Sequence, residues 1–109
     1  MRVWVIGADQ RGSEVLRQLK KNENIDVFVT DSKERPRAVS DGVINKVDQV
    51  EVVTPVNVNT LARRIRPDLI IIDPAADQRN LGRVTGGPTF AASLTTEIAN
   101  ASEYPCVVL

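Results

Sequence analysis

Short apolar runs alternate along this chain with stretches whose apolar positions recur every three or four residues. Val3-Trp4-Val5-Ile6 is continuously apolar, the pattern of a strand buried on both faces. Residues 12–21 place Val15, Leu16 and Leu19 on one stripe and Arg17, Gln18, Lys20 and Lys21 outside it. That spacing predicts an amphipathic helix, ended by Asn22 and Asn24. Ile25 to Thr30 is β-branched and aromatic and predicts a second strand. Asp31-Ser32 then caps a second helix, with Pro36 in its first turn and Gly42 at its end. Val50 to Thr54 reads as a third strand. Asn57 or Asn59 caps a helix carrying Leu61, Ala62 and Ile65, and Pro67 closes it. Leu69-Ile70-Ile71-Ile72 is the clearest buried strand in the chain. A last helix is expected from about Thr89 to Ser102, with Phe90, Leu94 and Ile98 four apart. Pro105 breaks it, and Cys106 to Leu109 supplies a fifth strand.

Strand and helix alternate throughout, so parallel strands joined by right-handed crossovers are the expected solution. The fold class is α/β: a three-layer, Rossmann-like sandwich whose five parallel strands lie in the order 3-2-1-4-5. Residues 1–109 are expected to form one domain, since a chain of this length has no room for a second. In such a sheet, ligands sit beyond the carboxyl ends of the strands, where the strand order reverses. Here that point lies between the first and fourth strands. Two segments flank it: the loop Gly7–Gly12, and residues 74–88, "PAADQRNLGRVTGGP", which have no clear period.

Composition narrows the chemistry. With 14 basic and 14 acidic residues, the formal net charge is zero. Nucleic acid is therefore not expected as a partner, because its phosphates would meet no basic field. No apolar run approaches the ~20 residues of a membrane span, so no membrane partner is expected. The first strand begins at once, without a signal-peptide pattern, and a single cysteine forms no internal disulfide; a cytoplasmic location is the expectation. The chain has no histidine and one cysteine. Ser-His-Asp triads, Cys-His pairs and thiolate–imidazole zinc sites are excluded within one chain. An enzyme built on Asp9, Asp73 or Asp77 would need an acid and a base in paired roles. No such pair stands out in the sequence, so a non-catalytic role is expected.

The candidate site is drawn from both segments. Gly7-Ala8-Asp9-Gln10-Arg11-Gly12 keeps the first and last glycines of G-x-G-x-x-G and replaces the middle one with Asp9. Gly7 permits the tight turn and Gly12 close helix–strand contact. A helix N-terminus favours an anion by roughly 0.3–1 kcal/mol. A carboxylate about 4 Å from a phosphate charge opposes it by roughly 4 kcal/mol at an effective dielectric near 20. Asp9 therefore has to turn away, pair with Arg11 or cap the helix if the loop is to hold a phosphate. Asp31, ending the second strand, stands where an acidic residue accepts ribose hydroxyls; both it and Asp73 are equally suited to cap a helix. In the second segment, Asp77, Arg79, Asn80 and Arg83 offer polar side chains. Paired arginines suit a phosphate or carboxylate, and Gly86-Gly87 suits a backbone anion nest. A solvated surface loop is the competing reading. Trp4 and Cys106 read as core.

Two resemblances follow from these residues. VIGADQRG, Asp31 and "IIIDPAADQRNL" resemble the NAD-binding regulatory domains of potassium transport systems, the TrkA N-terminal type. Asp77 and Asn80 match the spacing of that family's Asp-x-x-Asn-like segment near the ligand. The chain departs from the family at Asp9, and at Thr54-Pro55 where a Gly-Asp pair is usual. "VNVNTLARRIRPDLIIIDP" is similar to the domain that precedes ATP-grasp catalytic domains, as in glycinamide ribonucleotide synthetase. The expected function is a regulatory module that binds a nucleotide or dinucleotide, NAD or another adenine nucleotide, without chemistry. The alternative is an interaction or dimerisation protein that kept the fold and lost the ligand. In either case a homodimer or a partner protein is expected.

Overall fold

Along the first strand, side chains turn alternately to two buried layers. Trp4 and Ile6 enter one, Val3 and Val5 the other. This explains why the run is apolar without interruption. The computed structural model describes residues 1–74 and 87–109, with the backbone alone for 87–93. In chain order the elements are β1 (Arg2–Ile6), α1 (Gln10–Leu19), β2 (Asp26–Asp31), α2 (Arg37–Ser40), β3 (Gln49–Val50), α3 (Val58–Ile65), β4 (Leu69–Ile72), α4 (Gly87–Ala101) and β5 (Cys106–Val108).

The five strands form one parallel sheet in the order β3-β2-β1-β4-β5, as the alternation of elements predicts. β1 lies at the centre, with Val5 paired to Val29 of β2 and to Ile71 of β4. One face packs Trp4, Ile6, Ile70 and Ile72 against Val58, Leu61, Ala62 and Ile65 of α3 and Ile98 of α4. The other packs Val3, Val5, Val29 and Ile71 against Leu16 of α1 and Ala38 of α2. Trp4 is fully buried, and its indole Nε1–H donates to Thr30 Oγ1 at 3.0 Å. Among the described residues, no helix is long and apolar enough to cross a membrane.

Several elements differ from the sequence-based expectation. β2 runs one residue later than Ile25–Thr30, because the backbone N–H of Ile25 donates to Asn22 O in the turn that precedes it. β3 is two residues long, not the five expected from Val50 to Thr54. β2 ends at Asp31, which pairs with Val50, so the chain beyond has little edge left to bond. Glu51 N–H makes one last bond to Asp31 O, and Val53 turns into the core. The second helix is a single turn. Pro36 stands just before it, and Gly42, at φ 75°, follows its C-cap Asp41. Asp31 does not cap that turn; its Oδ1 accepts the N–H of Lys33 instead. At α3, Asn57 is the N-cap residue, but its side chain bonds Thr54 N–H and Val52 O rather than the helix.

Candidate functional site

The sheet order puts the ends of β1 and β4 side by side, and buried carboxylates join them. β1 ends at Ile6, and Gly7 turns the chain at φ 87°, a conformation that glycine adopts without strain. Gly7 N–H donates to Thr30 O at 2.8 Å, tying the turn to β2. The next donor, Ala8 N–H, meets Asp31 Oδ2 at 2.8 Å. Across the strand-order reversal, Gly12 N–H in the first turn of α1 donates to Asp73 Oδ2 at 2.9 Å. The Asp73 N–H itself continues the ladder to Ile6 O. Asp31 is 2% exposed and Asp73 fully buried.

Gly12 shows why this corner needs a glycine. A Cβ there would stand 2.1 Å from Gly7 O and 3.1 Å from Asp73 Oδ2. The helix therefore starts pressed against the turn. α1 begins at Gln10, two residues before its expected start.

Asp73 caps a helix, though not the one that follows it in sequence. It reaches α1 across the sheet, 61 residues away in the chain. A carboxylate ending one strand and a glycine six positions past the end of another carry no local signal of such a bond. Only the strand order brings them together.

Asp9 holds the N-cap position of α1. Its carbonyl accepts Ser13 N–H, while its side chain makes no capping hydrogen bond. Among the described residues no ion pair joins it to Arg11. The two neutralising roles considered for Asp9 are thus both unfilled here. Backbone N–H groups in the first turn of a helix have no partner within it. Among the described residues, those of Asp9, Gln10 and Arg11 meet no acceptor. Gln10 and Arg11 are exposed. The loop has its inner donors, at Ala8 and Gly12, satisfied by carboxylates and its outer donors open.

Of the second segment, Pro74 follows Asp73 at this rim and Gly87 opens α4. Asp77, Arg79, Asn80, Arg83 and Gly86 lie outside the described residues. Among the described residues, no group of three His, Cys, Asp or Glu side chains could hold a metal ion. Cys106 lies in edge strand β5, half-buried against the α3–α4 core, and burial pushes its thiol up from 9.0 to about 11.

No family model matches the chain, and no curated protein matches it significantly. Among solved structures, glycinamide-RNase-transformylase T from Mycobacterium tuberculosis aligns with 75% of this chain at 22% identity and a TM-score of 0.47. The chain spans 24% of that protein's length in the structure.

Proposed function

We propose that this chain is a non-catalytic binding module that takes a phosphate of a nucleotide or dinucleotide, NAD or another adenine nucleotide, at the start of α1. The open N–H groups of Asp9, Gln10 and Arg11 carry the reading, because they form a ready set of donors for an anion at a helix N-terminus. Arg11 adds a guanidinium in the same turn. The bonds from Ala8 and Gly12 to the two buried carboxylates hold that turn rigid before any ligand arrives. Asp31 contributes by pinning the loop: its Oδ2 accepts Ala8 N–H and its Oδ1 accepts Lys33 N–H. The regulatory role of the TrkA-type domains, and the resemblance to the domain preceding ATP-grasp enzymes, both fit a module of this kind.

One observation favours the second reading, an interaction protein without a nucleotide. Asp9 carries its carboxylate at the same helix start, unpaired by Arg11. Repulsion from a phosphate at ~4 Å exceeds the helix-end attraction several-fold. Binding therefore requires the Asp9 side chain to swing outward. Calorimetry and thermal shift with NAD(H), NADP(H), ATP, AMP and S-adenosylmethionine separate the readings. A ligand at one hundred times its Kd adds about 2.7 kcal/mol of stability. A saturable heat with at least one adenine nucleotide is the expected result. Silence with all of them overturns the first reading in favour of the second.

A further inference from the structure

Two polar side chains at the start of α1 have no partner among the described residues. The Asp9 carboxylate, partly exposed, makes no capping hydrogen bond and no ion pair. Ser13 is 4% exposed, and its hydroxyl makes no hydrogen bond. The backbone N–H of Ser13 donates to Asp9 O, so Ser13 stands one helical turn after Asp9 on the same side. Helical side chains lean toward the N-terminus, which turns the Ser13 hydroxyl toward Asp9 and the open N–H groups. Buried hydroxyls are nearly always hydrogen-bonded, and one without a protein partner points to a bound water, ion or ligand.

We propose that this turn takes its nucleotide as a magnesium complex, with the cation held between the ligand's phosphate oxygens, the Asp9 carboxylate and the Ser13 hydroxyl. The inference rests on the nucleotide reading and narrows it to a nucleoside di- or triphosphate such as ADP or ATP. The unpaired charge of Asp9 argues for a divalent cation. A bare phosphate is accepted only if Asp9 swings away from it, whereas a doubly positive ion between the two attracts both. Magnesium prefers hard oxygen donors, and a carboxylate and a hydroxyl supply them. It is commonly held by one or two carboxylates together with the phosphates of a substrate, and it keeps several waters. One carboxylate and one hydroxyl would hold the ion weakly by themselves, so its binding depends on the phosphates. Adjacent ionised phosphates of ATP or ADP chelate magnesium; the less charged pyrophosphate of NAD chelates it poorly. The bonds from Ala8 and Gly12 to Asp31 and Asp73 keep the turn in place while the complex binds.

Calorimetry on the full chain with ATP, in excess magnesium and in EDTA, tests the proposal. Magnesium should tighten ATP binding to the wild type at least about tenfold, between the effect of one charge pair in water and at a protein surface. Asp9→Asn removes the carboxylate that faces the cation. It should bind metal-free ATP more tightly than the wild type does, and gain less than about twofold from magnesium. Ser13→Ala should leave the melting temperature unchanged or higher, because the hydroxyl has no protein partner to lose, and should lower the magnesium effect. Manganese(II) in place of magnesium should broaden the amide NMR signals of residues 9–13 when ATP is present, and not without it. ATP binding indifferent to magnesium, or a magnesium effect that Asp9→Asn leaves intact, overturns the cation while the nucleotide reading stands. No ATP binding in either medium also overturns the proposal, and titration with NAD then tests the nucleotide reading by itself.

Discussion

At the residue scale, this corner has no room for a side chain at Gly12, since α1 starts within contact of the turn that ends β1. Gly12→Ala forces a methyl group against Gly7 O and should destabilise the fold by about 1–3 kcal/mol, the range for overpacking; urea denaturation measures it. The role of Gly12 was legible in the sequence from its place in the degenerate G-x-x-x-x-G. The role of Asp73 was not, because its bond to Gly12 spans the sheet. Asp31 was legible as a residue of the rim, but the direction of its carboxylate, inward to Ala8 and Lys33, is set by packing. Cys106 makes a separate prediction. Its thiol, pushed up to about 11 by burial, should react slowly with iodoacetamide at pH 8, where unfolded protein reacts readily. Because the folded state holds this proton longer than the unfolded state, the stability it contributes is fully present below pH 9.0. It is lost as pH rises toward about 11.

At the scale of elements, periodicity located best what the sheet buries most. β1 and β4 sit where their uninterrupted apolar runs place them. β3 and α2 do not, and the reasons are local. β3 stops when β2 has no further edge to offer, however suitable the valines beyond it. α2 is confined to one turn between Pro36 and the left-handed Gly42. The end of α3 holds a feature that no periodicity reveals. Arg66, exposed at its C-cap, adopts φ 56° and ψ 59°, the left-handed conformation that favours glycine. Arg66→Gly should therefore stabilise the protein by about 0.5–1 kcal/mol, offset in part by the extra freedom of glycine in the unfolded chain. A rise in melting temperature would show it, and a fall would contradict the strain assigned to Arg66.

At the scale of the whole molecule, one parallel sheet brings together groups far apart in sequence: the turn after β1, the carboxylate after β2 and the carboxylate after β4. Strand order was legible from the alternation of elements, and with it the rim where a ligand would sit. What the alternation does not carry is how the rim divides its donors. The inner N–H groups go to the protein's own carboxylates, and the outer ones stay open beside Asp9. That division is the physical basis of the proposed function. Amide chemical shifts followed by NMR during titration with NAD and ATP test it most directly. The account predicts saturable shifts concentrated at the amides of Asp9, Gln10 and Arg11, with little change at Ala8 and Gly12. Asp9→Asn should tighten binding, most strongly at low salt. Amides of residues 9–11 that do not move with either nucleotide, in the wild type and in Asp9→Asn alike, would contradict it.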